Sequence, residues 1–384
     1  AAVFSLFLAA DPKLHMACFT VEGDLVGRRR IVATTIIEAG DEVLREEPAL
    51  AAPSRIDTAA LVCPHCLRLR PITGIWSHAD GVPCKECGDP EVAFCSEECA
   101  SRHQQMHHAE CSILDGLLKL VDGTQLALPR VLLLLRCLLA THGCAGGYSR
   151  GSSLHFLQWL EHHVKEDTPI PLDVGNGMET PAVPPLPVEP DMAELLSIFF
   201  EDKVPVMTPG QRTAGITPLE VQQWLSRIDT YAFPCACGDI TDGTHVAGGA
   251  LFRFASFFNH SCAPNAVTRW DAKTGELVVT AITPMRTGDE ITISYIPHSC
   301  DSWCCQGRGS DNYERRTSVV NAGLKHYPRM ELQDRRDCLL ASRFFYCQCH
   351  RCVEEEGRRL GKPPLFDEHT KVMSWQFEAM KPKS

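Results

Sequence analysis

The sequence lacks an excess of basic residues, a long apolar run near its start and any internal repeat. Its 37 Lys and Arg residues are outnumbered by 48 Asp and Glu residues, which gives a formal net charge of −11. A protein that clamps nucleic-acid phosphates needs a basic face, so direct nucleic-acid binding is disfavoured. The apolar opening, residues 1–10, is too short to span a bilayer. Without a repeat of roughly 20 to 50 residues, a solenoid is excluded.

The rest of the composition is typical of a folded soluble protein. The chain has 384 residues, of which 44% are hydrophobic and 22% are charged. These values suit about two or three compact units and disfavour disorder of the whole chain. We expect a monomer located in the nucleus, the cytoplasm or both.

The chain has 20 cysteines, most of them in short C-x2-C, C-x3-C and C-x-C units. Disulfide frameworks belong to small secreted domains, whereas clustered cysteines in a longer chain are typical of zinc ligands in a reducing compartment. Three cysteine pairs and one histidine–cysteine pair supply eight ligands, which predict two closed structural zinc sites. The metal would stabilise a segment that is too small to bury much core. The four pairs are Cys63-x2-Cys66, Cys84-x2-Cys87, Cys95-x3-Cys99 and His107-x3-Cys111.

Two other histidines compete with His107 as the nitrogen ligand. The seven-residue gap after Cys99 and the x3 spacing to Cys111 favour His107. We expect His103 and His108 to be exposed residues of a helix. The long interval between the first two cysteine pairs is expected to be a surface loop.

Periodic patterns outside the cysteine stretch predict both strands and helices. The β-branched runs at 30–37 and 42–44 predict two short strands joined by a turn. The proline-rich segment 167–190 is predicted to be a linker or loop. The other predicted elements are a buried helix at 129–139, a helix at 153–164, helices starting near Asp191 and at Thr217, and a hairpin of 267–270 with 277–282.

Two further strings carry the resemblance to a known family. One is Asn259-His260-Ser261-Cys262-Ala263-Pro264-Asn265, and the other is Gly288-Asp289-Glu290-Ile291-Thr292-Ile293-Ser294-Tyr295. Together they resemble the active-centre halves of SET-domain protein methyltransferases. The cysteine pairs resemble a MYND zinc finger, and Cys347-x-Cys349-x2-Cys352 resembles a post-SET segment. The chain therefore resembles the SET and MYND family of protein-lysine methyltransferases, in its shorter branch without a C-terminal helical-repeat domain.

The resemblance implies an α+β fold. Its parts are a split SET β-fold with a pseudoknot, an inserted MYND double-zinc finger, a helical insert and a zinc-bound post-SET segment. The implied units are an N-terminal extension (1–19), the SET N-terminal half (20–62), the finger (63–111), the helical insert (112–230), the SET catalytic half (231–297), an insertion with a helix (298–342), the post-SET segment (343–352) and a C-terminal tail (353–384).

The resemblance also implies S-adenosylmethionine as methyl donor and a lysine side chain of a protein as acceptor. This transfer needs a neutral amine held in line with the sulfonium carbon and kept from water. Tyr295 corresponds to the catalytic tyrosine that orients the amine, and Phe233 and Tyr295 correspond to walls of the lysine channel. The implied cofactor-binding residues are Gly27, Arg28, Asn259, His260, Tyr295 and Phe345, the last by stacking on adenine.

Three zinc ions are implied in the same way. Two belong to the finger, where the pairs interleave, and one ties the C-terminal cysteines over the active centre. The implied ligand sets are Cys63, Cys66, Cys95 and Cys99; Cys84, Cys87, His107 and Cys111; and Cys262, Cys347, Cys349 and Cys352. The finger is also expected to recruit proline-rich partner peptides.

Three positions depart from the family pattern. The glycine-rich cofactor loop is Gly27-Arg28-Arg29-Arg30, where an arginine either pairs with the cofactor carboxylate or obstructs the approach that glycine permits. Tyr231 replaces a common asparagine. Arg343 replaces a channel tyrosine. Either its positive charge repels a lysine ammonium, or its side chain faces outward and Phe344 or Tyr346 forms the channel wall. The alternative function is therefore a weak or inactive SET scaffold whose finger recruits partners.

Five more cysteines flank the expected substrate entrance. They form either a fourth zinc site or free thiols. They are Cys235, Cys237, Cys300, Cys304 and Cys305.

Overall fold

The fold was analysed in a computed structural model. It describes residues 18–23, 29–54, 62–69, 82–83, 93–122, 124, 126–141, 156–157, 160, 187–203, 215–236, 246–296 and 330–360. The predicted loop between the first two cysteine pairs, most of the proline-rich segment and most of the predicted helix at 153–164 lie outside these residues. So do the site candidates Gly27, Arg28, Cys84, Cys87, Cys237, Cys300, Cys304 and Cys305.

The described residues combine short strands with helices. The strands are β1 (Phe19–Gly23), β2 (Arg29–Ala33), β3 (Glu42–Glu46), β4 (Leu50–Pro53), β5 (Val82–Pro83), β6 (Ala93–Phe94), β7 (Phe233–Ala236), β8 (Val246–Leu251), β9 (Asn259–His260), β10 (Ala266–Asp271), β11 (Glu276–Ala281) and β12 (Thr292–Ile293). The helices are α1 (Glu97–Asp122), α2 (Leu128–Thr141), α3 (Pro190–Lys203), α4 (Pro218–Tyr231), α5 (Leu332–Arg343) and α6 (His350–Arg359), with a 3-10 turn at Ala255–Phe257.

The strands form small sheets that bring distant parts of the sequence together. One sheet has the order β10-β11-β3, another has the order β4-β8-β7, and β1 pairs with β2. The only parallel pair among the described strands joins β9 to β12, with Asn259 opposite Thr292 and His260 opposite Ile293. The two strings that carried the family resemblance are therefore hydrogen-bonded neighbours.

The predicted hairpin is confirmed, whereas the predicted strand at 30–37 is wrong in its length. Strands β10 and β11 pair antiparallel over their whole length. Strand β2 ends at Ala33 and pairs with β1, and β3 pairs with β11, so β2 and β3 belong to different sheets. Of the β-branched residues after Ala33, only Ile37 pairs with another segment, in an isolated bridge with Met285.

Two helices follow their sequence signals closely. Helix α4 begins after Thr217, whose side-chain oxygen accepts a hydrogen bond from the Glu220 N–H at 3.1 Å. This cap satisfies one of the free N–H groups at the helix start. The predicted buried helix is α2, which ends at Thr141. Helix α3 begins at Pro190, so Asp191 lies inside the first turn and is not the residue before the helix.

The core is centred on α2, which packs against α1, α4, β4 and β8. Its leucines from Leu132 to Leu139 are fully buried, and two arginines, Arg130 and Arg136, are buried as well. Buried arginines need a partner, because an unpaired charge is costly to remove from water. Asp229 of α4 pairs with Arg130 through two hydrogen bonds of 2.7 and 2.8 Å. Within the described residues, no helix is long and apolar enough to cross a membrane.

Candidate functional site

The candidate site is built where β9 and β12 meet. Directly after β12, the Tyr295 backbone N–H donates to His260 Nδ1 at 2.9 Å, and the Tyr295 hydroxyl donates to the Phe258 carbonyl at 2.5 Å. Directly before β10, the Asn265 side chain accepts from the Thr292 N–H at 2.7 Å and donates to the Glu290 carbonyl at 2.8 Å. These bonds fix the tyrosine against the Asn-His string.

The Asn259 side chain fixes the same string from its other side. Its amide nitrogen donates to the Arg29 carbonyl at 2.7 Å and to the Glu290 carboxylate at 2.8 Å. Arg29 in turn places its guanidinium 5.6 Å from the centre of the Phe257 ring. Asn259 itself is exposed at this edge. The string is therefore held to the strand that follows the predicted cofactor loop.

The His260 ring lies between Tyr295 and Cys262 and contacts both. Since Nδ1 accepts from the Tyr295 N–H, a neutral ring carries its proton on Nε2, which lies 3.1 Å from Cys262 Sγ. Burial lowers the pKa of His260 to about 4, so the neutral form dominates near pH 7. The ring thus donates one hydrogen bond to the sulfur and accepts another from the tyrosine backbone.

Phe345 reaches this centre from the C-terminal part of the chain. Its ring centroid lies 6.2 Å from that of Tyr295, nearly perpendicular at 88°, and 6.0 Å from that of His260. Helix α5 ends at Arg343, and Phe344 then adopts φ 62°, which turns the chain toward the centre. Three aromatic rings from separate segments therefore surround one position.

Two further positions singled out by the sequence are Phe233 and Tyr231. Phe233 lies on β7 and packs edge-on against Phe252, with ring centroids 5.6 Å apart. Burial raises the pKa of Tyr295 above its usual value, and the neighbouring Tyr231 phenol adds to this effect. The phenol of Tyr295 therefore stays protonated at neutral pH.

Arg343 does not face outward as one of the two sequence hypotheses supposed. Its Nη1 donates to the carbonyls of Asp229 at 2.8 Å and Thr230 at 2.7 Å, at the end of α4. Its guanidinium carbon also lies 5.3 Å from the Tyr295 ring centroid. A cation therefore borders the candidate site, and helix carbonyls offset part of its charge.

Cys262 and three cysteines of the predicted post-SET segment form a compact cluster that suits zinc. The ligand atoms of Cys262, Cys347, Cys349 and Cys352 all lie within 4.8 Å of one another. Cys262 Sγ is 3.9 Å from Cys347 Sγ and 3.5 Å from Cys352 Sγ. A tetrahedron with zinc–sulfur bonds of about 2.3 Å has edges of about 3.8 Å, whereas a disulfide bond is about 2.0 Å long. The donor set and its dimensions fit a zinc ion.

The groups around this cluster also suit thiolates. The Cys262 backbone N–H donates to Cys349 Sγ at 3.2 Å, and the fully buried Arg335 places Nη2 3.6 Å from Cys352 Sγ. Arg336 and Arg351 donate to the carbonyls of Cys347 and Cys262 at 3.2 and 3.1 Å. Four thiolates around one divalent ion carry a net negative charge. The three arginines place positive charge beside it, and each of them also pairs with a carboxylate, Glu355 or Glu356. None of these arginines was among the predicted site residues, although Arg335 and Arg336 form a basic pair in the sequence.

The first finger cluster has the same dimensions. Cys63, Cys66, Cys95 and Cys99 have all four sulfurs within 4.8 Å, with 3.6 Å between Cys66 and Cys95 and 3.4 Å between Cys95 and Cys99. The structure thus brings together the four cysteines that the family resemblance grouped. They fit one zinc ion by the same tetrahedral criterion.

The finger packs against the β10–β11 turn through a glycine that sequence analysis did not single out for this role. Gly275 has φ +74°, and a Cβ at this position would come within 2.8 Å of the Cys66 carbonyl. The Leu69 N–H donates to the Ala272 carbonyl at 2.8 Å on the same turn. Only glycine combines this backbone conformation with so close an approach.

The second finger set is described in part. His107 Nε2 lies 3.0 Å from Cys111 Sγ, while Cys84 and Cys87 lie outside the described residues. The expectation that His103 is exposed is wrong, because its ring is buried and contacts Glu110 at 3.1 Å. His108 is exposed as predicted. The helical period alone could not assign His103, because its ring is buried against a residue of another helix, Arg136 of α2, whose Nη2 lies 3.2 Å from His103 Nε2.

Comparisons with known proteins identify the family of this chain. The SET domain family matches residues 28–296 of the chain. A SET and MYND domain-containing protein of Dictyostelium discoideum is 25% identical over 344 residues, covering 86% of this chain and 59% of that protein. Human protein-lysine N-trimethyltransferase SMYD5 is 32% identical over 108 residues, covering 28% of this chain and 19% of that protein. Mouse N-lysine methyltransferase SMYD2 is 28% identical over 124 residues, covering 30% of this chain and 21% of that protein. The chain thus spans at most 59% of the length of these relatives.

Proposed function

Because this chain belongs to the SET-domain family, and its relatives include SET and MYND proteins and lysine methyltransferases, we propose that it methylates lysine side chains of proteins. The methyl donor is S-adenosylmethionine, which supplies a methyl group on a positively charged sulfur. The observation that carries the proposal is the convergence of the Tyr295, His260 and Phe345 rings, whose centroids lie 5.4 to 6.2 Å apart.

The protein's own residues account for the handling of the amine. A protonated Tyr295 donates its hydrogen to the Phe258 carbonyl, so its oxygen lone pairs remain to accept a hydrogen bond from the substrate amine. This bond fixes the direction of the amine lone pair. The apolar rings exclude water and favour the neutral amine over the ammonium form. Phe233 forms part of the wall through which the lysine enters.

Zinc plays a structural part in this proposal. A site closed by four cysteines has no open position for chemistry, so its role is to hold the tail, and with it Phe345, over the centre. We further propose the finer features that the resemblance implies. These are a pseudoknot formed by the two paired strings, a finger inserted into the SET fold, and three zinc ions in all.

One observation favours the alternative of a weakly active scaffold. The positive charge of Arg343 lies beside Tyr295, where it disfavours a second cation. The α4 carbonyls that bind Arg343 offset that charge, and an amine that enters neutral does not experience the repulsion. On these grounds we place the enzyme first and the partner-recruiting scaffold second.

The two functions are separated by methyl transfer from labelled S-adenosylmethionine. Zinc-replete protein would be incubated with the labelled donor and an array of lysine-containing peptides and intact proteins, followed by mass spectrometry. The enzyme predicts methyl-lysine in at least one substrate. Protein that binds S-adenosylmethionine but labels no lysine would overturn the proposal and leave the scaffold.

A further inference from the structure

A buried ionic cluster lies between the finger and the helical core. It consists of Glu110 and His103 on α1 and Arg136 on α2, exposed by only 1%, 5% and 2%. Arg136 binds both carboxylate oxygens of Glu110, through Nη2 at 2.7 Å and Nε at 2.9 Å. His103 Nε2 contacts the same carboxylate at 3.1 Å. Removing these groups from water is costly, so the arrangement calls for a function or a close structural role.

The same carboxylate faces a predicted zinc ligand. Glu110 Oε1 lies 3.5 Å from His107 Nδ1, and the other ring nitrogen, Nε2, lies 3.0 Å from Cys111 Sγ. The ring therefore directs one nitrogen to its partner in the predicted zinc site and the other to the carboxylate. A zinc-bound histidine commonly donates its second N–H to a carboxylate, which fixes the ring orientation and raises its basicity.

Arg136 also touches the first finger set. Its Nη1 donates to the Pro64 carbonyl at 3.0 Å, inside the Cys63-x2-Cys66 loop. The same nitrogen donates to the Ala51 carbonyl on β4. The Arg136 guanidinium thus contacts the backbone of the first predicted zinc site at Pro64 and the core strand β4 at Ala51. It also binds Glu110, the carboxylate that faces His107 of the second predicted zinc site.

The cluster itself is not a metal site. His103, His107 and Glu110 lie close enough to hold an ion, with ligand atoms within 4.8 Å. The Arg136 guanidinium already binds both carboxylate oxygens and lies 3.2 Å from His103 Nε2. The cation of this cluster is the arginine.

We propose that Glu110, held by Arg136, is the positioning residue that orients His107 as a zinc ligand, so that Arg136 links both finger sites to the core helix α2. The inference rests on the predicted zinc ligand His107 and is independent of methyl transfer.

The test compares two variants with a matched control. Glu110→Gln and Arg136→Met remove the ion pair behind His107. Arg130→Met removes the other buried arginine–carboxylate pair of the same helix, which faces Asp229 and no predicted zinc ligand. Zinc release from the full chain would be followed during competition with a chelator. We expect one equivalent of zinc to be bound about 10- to 100-fold more weakly in the first two variants and unchanged in Arg130→Met. Equal weakening in all three, or in none, would overturn the proposal.

Repeating the Glu110→Gln substitution in a His107→Cys variant distinguishes an effect on the orientation of the His107 ring from an effect on the stability of the fold. In His107→Cys the ligand is a thiolate that needs no imidazole orientation. Adding Glu110→Gln to His107→Cys should therefore leave zinc affinity unchanged, whereas a purely structural effect would persist. Cobalt substitution monitors the same site, because replacing nitrogen by sulfur changes its absorption. If Glu110→Gln weakens metal binding equally with and without the histidine, the proposal is wrong.

Discussion

The guanidinium of Arg343 lies 5.3 Å from the ring centroid of Tyr295 and donates to the last carbonyls of α4. Those carbonyls lack donors within the helix and carry partial negative charge. A residue just before the tail thus caps one helix and packs on the candidate catalytic tyrosine. Arg343 thereby joins the segment that carries the C-terminal cysteines to the centre.

Arg343→Met should loosen the tail without removing zinc. The variant loses charge-assisted hydrogen bonds to α4, which are worth about 2 kcal/mol in the free energy of unfolding. We expect roughly tenfold weaker binding of S-adenosylmethionine and slower methyl transfer, at unchanged zinc content. Arg343→Lys should recover only part of the loss, because lysine lacks the planar group that spans ring and carbonyls. Unchanged cofactor affinity in Arg343→Met would contradict this role.

Tyr295→Phe should separate chemistry from binding. The hydroxyl is lost, while the ring and its contacts with His260 and Phe345 remain. We expect methyl transfer to fall by about 100-fold or more, with zinc content and cofactor affinity preserved. Single-turnover transfer from labelled donor measures the step directly. If incorporation is as fast as in the wild type, the role assigned to this hydroxyl is wrong.

Cys262→Ser should remove one zinc ion and destabilise the tail. A serine hydroxyl is a poor zinc ligand, and the remaining three cysteines lie on the C-terminal segment alone. Elemental analysis should find one equivalent less zinc than in the wild type. Cys137→Ala is the control, since Cys137 is buried among apolar residues of α2 and belongs to no predicted ligand set. Equal zinc content in Cys262→Ser and the control would refute the tail site.

Glu46 predicts a pH dependence of stability. Burial raises its pKa to about 7, although its carboxylate accepts hydrogen bonds from the Phe254 and Ala255 N–H groups at 3.0 Å. A raised carboxyl pKa means that the folded state binds the proton more tightly. The associated stability is present at low pH and is lost as the pH rises toward and through 7.

Glu46→Gln isolates this effect because the amide stays neutral. The free energy of unfolding of the wild type minus that of the variant should fall by about 2 kcal/mol between pH 5.5 and 7.5. Urea denaturation of zinc-replete protein at several pH values measures it. A difference that stays flat over this range would show that Glu46 titrates normally.

Local signals in the sequence predicted the elements that depend on neighbours in the chain. Thr217 starts its helix and the β10–β11 hairpin forms as predicted, because caps and turns involve residues a few positions apart. Short spacings made the cysteine pairs visible, and the family resemblance grouped them into the two clusters that the structure assembles. These patterns are readable because each is set by local geometry or by the chemistry of one metal.

Long-range partners could not be predicted from the same signals. Arg136 finds Glu110, Arg343 finds the end of α4, and Gly275 finds the Cys66 carbonyl only after the chain has folded. The exposed environment predicted for His103 was wrong for the same reason. The face of a helix that packs on a given strand is decided by contacts between elements that are far apart in the sequence.

In the proposed enzyme, zinc bound by Cys262 and the C-terminal cysteines completes a site for S-adenosylmethionine. Calorimetric titration of S-adenosylmethionine into the zinc-replete wild type and into Cys262→Ser tests it most directly. We predict saturable binding at one site in the wild type and loss of that binding in the variant. Folded, zinc-replete wild-type protein that gives no binding heat at tens of micromolar, or a variant that binds as tightly as the wild type, would contradict the account.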